Sequence, residues 1–477
     1  MKLIQLLDKG QAIQLTILQK LIISDDEVKM KELANQLDIS FPTLQKEVKN
    51  LQEAIHQFDV ASGLFKTSKE TLSLFLSPQF LIKEFCYLYF KQTIDFELLS
   101  LLYKETELST TKLGLTLQLS EASVFRRMKR INQFMEDFEI QYRNKRLSGS
   151  ELQIRSFFYQ LFWQILPKEQ IEKQFYQPVI GNLIVIFENQ FHVKFSYEQY
   201  WKLVLWIGIM QKRLDYRKNE ERRFDNQTIE LIEADPFYQD LNNILARYLS
   251  RFALQWSQDE VLFLYLFFLS EALIDLNHGL IRQSPFLEKM IALNHQVFEV
   301  LLGTQQQVEA FDSYLLKQHV RVAFSKGRLA PILHYPKLLS DAQTEKMSAC
   351  MTIIEENLTR NTSNSQWQML DEAYAFIIDI YKRQQQPTLL VGVALEPSLQ
   401  STEALNFIQQ ELASFPFVSI ESRNKEQDYD LLIADENTNL SEYTYQIVYF
   451  FSGQTSIFEA TRLKHAIQQL IEKQRGR

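Results

Sequence analysis

Residues 109–135 read STTKLGLTLQLSEASVFRRMKRINQFM. Leu113, Leu117 and Leu119 come first, then Ser120, then Val124, Met128 and Ile131. This spacing predicts a short amphipathic helix, a tight turn and a second helix capped by the Ser120 hydroxyl, which can accept from a free amide of the first turn. On the second helix Val124, Met128 and Ile131 face inward. Arg126, Lys129 and Arg130 are expected to point out, with Arg127 near the edge. A short helix followed by a capped helix with a cationic outer face is the helix-turn-helix arrangement, in which the second helix enters the DNA major groove.

The same pattern occurs eighty positions earlier. Leu33, Leu37, Ile39, Ser40, Leu44, Val48, Leu51 and Ile55 precede Leu113, Leu117, Leu119, Ser120, Val124, Met128, Ile131 and Met135 at that offset. Lys46 answers to Arg126 and Lys49 to Lys129, and the small residues Ala34 and Gly114 match where two helix backbones come close. Apolar residues at helical spacing by themselves fit a plain bundle. Two copies in register, apolar and basic positions together, favour DNA binding. The expected contacts are Thr43, Gln45, Lys46 and Lys49 on the first recognition helix and Ser123, Arg126, Arg127, Lys129 and Arg130 on the second.

Length and composition set the bounds. A chain of 477 residues with 46% hydrophobic content holds several globular domains. Its net charge of −8 makes the basic patches local features. Cys86 and Cys350 cannot build a disulfide framework and fit reduced thiols in a cytoplasmic protein. The first apolar residues are broken by Gln5, Asp8 and Lys9, so no signal peptide is expected. Val261 to Leu269 is too short to span a bilayer and reads as a buried core helix, so no membrane is expected as a partner.

In chain order, the first reader is expected over 1–76, with an opening helix from Gln11 to Ile23 and a wing over 60–76 that alternates at Leu72, Leu74 and Leu76. A turn around Ser68 places Lys66 or Lys69 near phosphate. The second reader covers 77–166. In its wing Phe138, Ile140 and Tyr142 alternate inward, Asn144-Lys145 turns the chain, and Arg143, Lys145 and Arg146 cluster at the tip as further DNA contacts. The second reader is the more cationic of the two.

Residues 167–386 read as almost wholly helical. WKLVLWIGIMQKR (201–213) resembles SYLLKQHVRVAFSK (313–326), and Asp259-Glu260 recurs as Asp371-Glu372 at matching separations. Two copies of one helical domain follow, over 167–284 and 285–386. Residues 387–477 change character. PTLLVGVAL, FVSIES, YDLLIA and YQIVYF read as strands between helices at Ser401 to Phe415 and Ala460 to Lys473, which predicts a small α/β sheet. The chain is thus mainly α and multidomain.

This order of parts resembles the Mga-type regulators of Gram-positive bacteria, virulence regulators with two winged helix-turn-helix domains, two PTS-regulation domains (PRDs) and a C-terminal module similar to the EIIB component of sugar phosphotransferase systems. The most specific pieces are LQLSEASVFRRMKRIN, RLSGSELQIRSFFYQLFW and LLKQHVRVAFSKGRLAPILHYPKLL. The resemblance implies a DNA-binding transcription activator, a homodimer through the C-terminal domain, and tuning by phosphocarrier proteins of the sugar phosphotransferase system. It puts a phosphorylatable histidine at His319, with Arg321, Lys326 and Arg328 placed to attract phosphate; His192, His278 and His334 match less well. The chain departs from that pattern at Trp206, Phe267 and Asp379, where the other histidines would fall. The loop Ala394-Leu395-Glu396-Pro397-Ser398 carries no nucleophilic cysteine, so the tail is expected to be an inactive relic. No cofactor, metal or enzyme constellation is expected. The alternatives are a phosphotransferase-system component, against which the missing cysteine speaks, and a PRD-type RNA-binding antiterminator, against which the helical N-terminus speaks.

Overall fold

The computed structural model describes residues 2–24, 27–66, 70–105, 107–214, 226–250, 258–274, 284–306, 308–332, 341–358, 362–385, 389–395, 399–415, 417–422, 424–436 and 438–475. Ser68, Lys69, His278, His334 and Glu396 to Ser398 lie outside them.

In the first reader, α1 (Lys9–Ile23) packs behind β1 (Val28–Lys29), α2 (Met30–Gln36) and α3 (Phe41–Phe58), followed by β2 (Gly63–Lys66) and β3 (Thr71–Phe75). The strands form one antiparallel sheet in the order β1-β3-β2, so the expected wing gains a third strand from the residues before α2. The second reader holds α4 (Ile82–Phe90), α5 (Ile94–Lys104), α6 (Thr110–Leu117), α7 (Glu121–Met135), the hairpin β4 (Gln141–Arg143) and β5 (Arg146–Ser148), and α8 (Glu151–Ile165). Asn144 and Lys145 both take positive φ (52° and 64°), as a two-residue turn matched to strand twist requires. Phe138 lies in a 3-10 turn, Glu136–Phe138, and not on the hairpin. It is buried there because it closes the core under α7 and not the wing.

The helical part runs through α9 (Lys168–Phe175), α10 (Pro178–Phe191), α11 (Tyr197–Arg213), α12 (Asn226–Glu233), α13 (Pro236–Ser250), α14 (Gln258–Ser270), α15 (Pro285–Leu302), α16 (Asp312–Phe324), α17 (Asp341–Asn357) and α18 (Asn364–Gln384). Every residue of α14 from Glu260 to Leu269 is buried, and from Val261 to Leu269 the helix is apolar all round, as a helix with no solvent-facing side must be. The repeated segments fall on corresponding elements, α11 with α16 and α14 with α18. No helix among the described residues is long and apolar enough to cross a membrane.

The chain divides into two compact units, Met1–Ile378 and Asp379–Arg477, so the readers and the helical part share one unit. In the second unit, β6 (Leu389–Ala394), α19 (Leu399–Leu412), β7 (Val418–Ser422), β8 (Asp428–Ala434), β9 (Thr444–Phe450) and α20 (Ile457–Arg475) build an α/β fold. Its four strands are all parallel, in the order β7-β6-β8-β9, with Val391 between Ile420 and Leu431 at the centre. Val391, Val393, Leu431 and Ile433 bury one face of the sheet together with Ile408, Leu463 and Ile467 of the helices. Alternation along the strands puts these residues on the same side.

Candidate DNA-binding interface and helical regulatory region

The helix-turn-helix is formed twice with the same local geometry. Ser40 accepts from the Thr43 amide and Ser120 from the Ser123 amide, each at 3.3 Å, so both recognition helices start on a serine cap. The turn before each cap passes through one left-handed residue, Asp38 (φ 51°) and Gln118 (φ 54°), also eighty apart. At Gly114 an added Cβ would sit 2.9 Å from the Leu119 carbonyl, and the Leu119 amide donates to the Gly114 carbonyl at 2.8 Å. The backbones do meet where the small residue was expected.

Val124, Met128 and Ile131 are buried, as are Leu44, Val48 and Leu51. Arg126, Lys129, Gln45, Lys46 and Lys49 are exposed, while Thr43 and Ser123 sit half-buried near the caps. Arg126 Nη2 donates to Ser123 Oγ at 3.2 Å. Lys49 lies 3.8 Å from Glu53, an exposed pair of little energetic weight that trims the positive field of the first helix. The matching residue in the second reader is the uncharged Gln133.

Arg143, Lys145 and Arg146 are exposed at the tip of the second hairpin. Asn132 fixes that hairpin to α7, accepting from the Tyr142 amide at 2.7 Å and donating to the Tyr142 carbonyl at 3.2 Å. A groove between α7 and the hairpin is lined by Phe125, Lys129, Asn132, Arg143 and Lys145. Phe125, 64% exposed, belongs to the outer face and was missed. Its apolar character off the buried stripe was the available signal.

Two of the expected contacts are turned elsewhere. Arg127 Nη1 donates to Asp95 Oδ1 at 2.6 Å, and Arg130 Nε lies 3.1 Å from Asp95 Oδ2. Arg130 also donates to the carbonyls of Gln5 and Leu7. Asp95, on α5, is 1% exposed, and a buried carboxylate draws the nearest cations to itself. Arg130 stays exposed but is held by Asp95 and by the Gln5 and Leu7 carbonyls, so Arg126 and Lys129 are the outward cations of α7 with no ion pair among the described residues.

In the helical part the repeated Glu residues both accept from arginine. Glu260 holds Arg155 through two bonds (2.6 and 3.0 Å), and Glu372 holds Arg328 at 2.5 Å. Arg155 is fully buried and also bonds Glu151, which takes Arg213 as well. Burial pushes the Glu151 carboxyl up, but Arg213 and Arg155 outweigh it and hold the group below its ordinary value.

His319 is fully buried on α16. Its Nδ1 lies 2.8 Å from Asn294 Oδ1 and its Nε2 lies 2.8 Å from Tyr374 Oη. The Asn294 amide nitrogen donates to Asp312, so Asn294 Oδ1 accepts and Nδ1 carries the proton. Nε2 then accepts from Tyr374, and neither nitrogen is open. Burial lowers the ring to about 3, so it is neutral near pH 7. Of the cations expected around it, Arg321 pairs with Glu271 and Arg328 with Glu372. His192 is exposed at the C-cap of α10. In the first repeat, Trp206 and Phe267 stack face to face at 4.4 Å, with Tyr159 edge-on to both. The two positions expected to match histidines are therefore adjacent in space and carry no phosphoryl-accepting nitrogen. Cys86 and Cys350 are buried in the first unit, where burial pushes both thiols up to about 12.

The chain matches the Mga helix-turn-helix domain over residues 3–70 and 78–162, and the PRD domain over 181–271. No curated protein matches it. The first match covers both readers, each with its recognition helix, and the second covers α11 and α14 with the Trp206–Phe267 stack. The chain belongs with the Mga-type, PRD-containing regulators, DNA-binding proteins that join a Mga helix-turn-helix domain to a PRD regulatory domain.

Proposed function

We propose that this protein is a cytoplasmic transcription activator that grips double-stranded promoter DNA with both readers, as a homodimer joined through its C-terminal α/β unit. The observation that carries the reading is the pair of recognition helices in register, each with a serine cap and outward cations: Lys46 and Lys49 on one, Arg126 and Lys129 on the other. Thr43, Gln45 and Ser123 at the helix starts are the candidates for base contact. Arg143, Lys145 and Arg146 on the hairpin supply phosphate contacts. The test is binding to promoter fragments across a salt series. Replacing Arg126 and Lys129 by Ala should weaken binding strongly and reduce the salt slope by roughly one unit for each phosphate partner removed. Replacing Lys46 and Lys49 should do the same to a lesser degree. Normal binding by the Arg126/Lys129 variant at every salt concentration would remove the second reader from the interface.

The dimer rests on the C-terminal unit, where Phe450, Ile457 and Phe458 are exposed beside the edge strand β9. Phe458→Asp should shift sedimentation toward monomer, and an unchanged dimer would move the interface to another part of the chain. The second helical repeat, α15 to α18, completes the reading as a second PRD-like domain, and the tail as an EIIB-like one. Tuning by phosphocarrier proteins at His319 requires Tyr374 to release Nε2, because that bond occupies the only lone pair of the neutral ring. Incubation with a phosphorylated carrier, followed by mass mapping, tests this: absence of label on His319 would leave α16 a structural element.

A further inference from the structure

Between α8, the first helical repeat and the second lies a partly open cavity of about 210 Å³. It is smaller than the roughly 300–1,000 Å³ of pockets that take drug-sized ligands, so it suits a small molecule. Three features bear on which one.

One wall is aromatic, formed by Tyr159, Trp206 and Phe267. Trp206 Nε1 is buried in this wall without a hydrogen-bond partner among the described residues, and the Tyr159 hydroxyl lies against Glu271. Buried polar atoms are normally paired, so the indole N–H is a donor that a polar ligand in the cavity can use.

The second feature is charge. The charged residues on the cavity wall are Lys202, Arg321 and Arg328 against Glu271 alone. Glu271 takes both Lys202, at 3.1 Å, and Arg321. Glu198 and Glu372 partner Lys202 and Arg328 from behind. Lys83 sits over the Trp163 ring at 4.8 Å and Lys202 over the same ring at 5.5 Å. Burial, aided by Arg321, holds Lys317 down to about 8. On the wall itself three cations face one carboxylate among the described residues, an excess that a phosphate dianion complements, and guanidinium forks match its oxygens.

The third feature is the floor. Ser325, Gly327, Arg328, Leu329 and Pro331 line the cavity from the segment after α16. That segment is tied to α8, with the Lys326 amide donating to Gln153 Oε1 at 2.6 Å and the Leu329 amide to Gln160 Oε1 at 3.0 Å. It also presses on the second reader. Gly327 (φ 69°) lies so close to the Phe138 ring that an added Cβ would come within 2.5 Å of it.

We propose that this cavity binds a small phosphate ester, with the phosphate against Lys202, Arg321 and Arg328 and the carbon skeleton against Tyr159 and Trp206, and that the segment 325–331 passes its occupancy to the second reader. Binding is non-covalent and does not involve His319, which does not line the cavity. The ligand shifts the reader only as far as it binds one arrangement of that segment better than another.

The test titrates the purified full-length protein with glycerol 3-phosphate, glucose 6-phosphate, inorganic phosphate and glucose at constant ionic strength, following tryptophan fluorescence. A saturable response to at least one ester, tenfold or more tighter than to inorganic phosphate and absent with glucose, is expected. Arg321→Gln should weaken it at least tenfold. Hydrogen exchange on the unmodified protein should show ester-dependent protection at 156–163 and 325–331, which keeps the test valid should Arg321→Gln fail to fold. No saturable response, a response equal for all anions, or protection confined to α7 and the hairpin would each overturn the proposal. Loss of ester binding in the Arg126→Ala/Lys129→Ala variant would overturn it too, by placing the anion on the DNA-reading face.

Discussion

The two readers share one helix-turn-helix and join it to the helix behind by opposite chemistry. In the first, the carboxylate belongs to the recognition helix. Glu47 accepts from Gln14 Nε2 at 2.6 Å and from Asn50 Nδ2 at 3.1 Å, and Tyr89 donates to Gln14 Oε1 at 2.8 Å. In the second, the positions eighty residues on are Arg127 and Arg130, and the carboxylate has moved across the interface to Asp95 on α5. The apolar stripe and the outer cations recur because helix geometry dictates where a side chain must be to reach the core or the DNA. The inner polar contact demands only that a buried charge find a complement, neutral amides for Glu47 in the first reader and guanidiniums for Asp95 in the second. Both readers keep the matched outward pair, Lys46 and Lys49 in the first and Arg126 and Lys129 in the second, and only the second adds two cations that Asp95 engages.

The sharpest way to break the comparison is to copy one side of it. Glu47→Arg gives the first reader the residue of the second without the aspartate that receives it. Glu47 is 6% exposed, so the new cation would be buried among Gln14, Asn50 and Gly10. An uncompensated buried charge costs about 3–5 kcal/mol, and chemical denaturation should show a loss of that order. A variant as stable as the parent would mean that the interface relaxes freely around either sign.

Removing the carboxylate of the second reader should cost less. Asp95→Ala leaves two guanidiniums behind, but Arg127 and Arg130 are 27% and 46% exposed and can turn toward water. We expect about 2 kcal/mol, at or below the lower end for broken buried pairs. Thermal unfolding of Asp95→Ala beside Asp95→Asn measures it; equal stability of both variants with the parent would show that the ion pairs are incidental.

The smallest effect should be equal in the two readers. Ser40→Ala and Ser120→Ala each remove one cap bond of the same length and should each cost about 1 kcal/mol. A clear difference between them would mean that the two recognition helices start under different constraints, contrary to the matched turns at Asp38 and Gln118.

Much of this protein is determined by its sequence. Periodicity located both recognition helices, since an apolar residue every three or four positions has one face to bury, and the eighty-residue repeat separated that pattern from an ordinary bundle. Alternating apolar runs marked the four strands of the C-terminal unit, and an all-apolar stretch marked α14 as a core helix. Pairing across the fold is another matter. That Arg127 and Arg130 turn to Asp95, that β1 joins the first wing, that His319 sits closed between Asn294 and Tyr374, and that Tyr159, Trp206 and Arg321 border one cavity all depend on residues from 25 to more than 160 positions apart being brought into contact. Local spacing carries no information on which distant partner a buried charge or ring nitrogen will find; only the packing of the helices decides it, because burial is what makes an unpaired polar group costly.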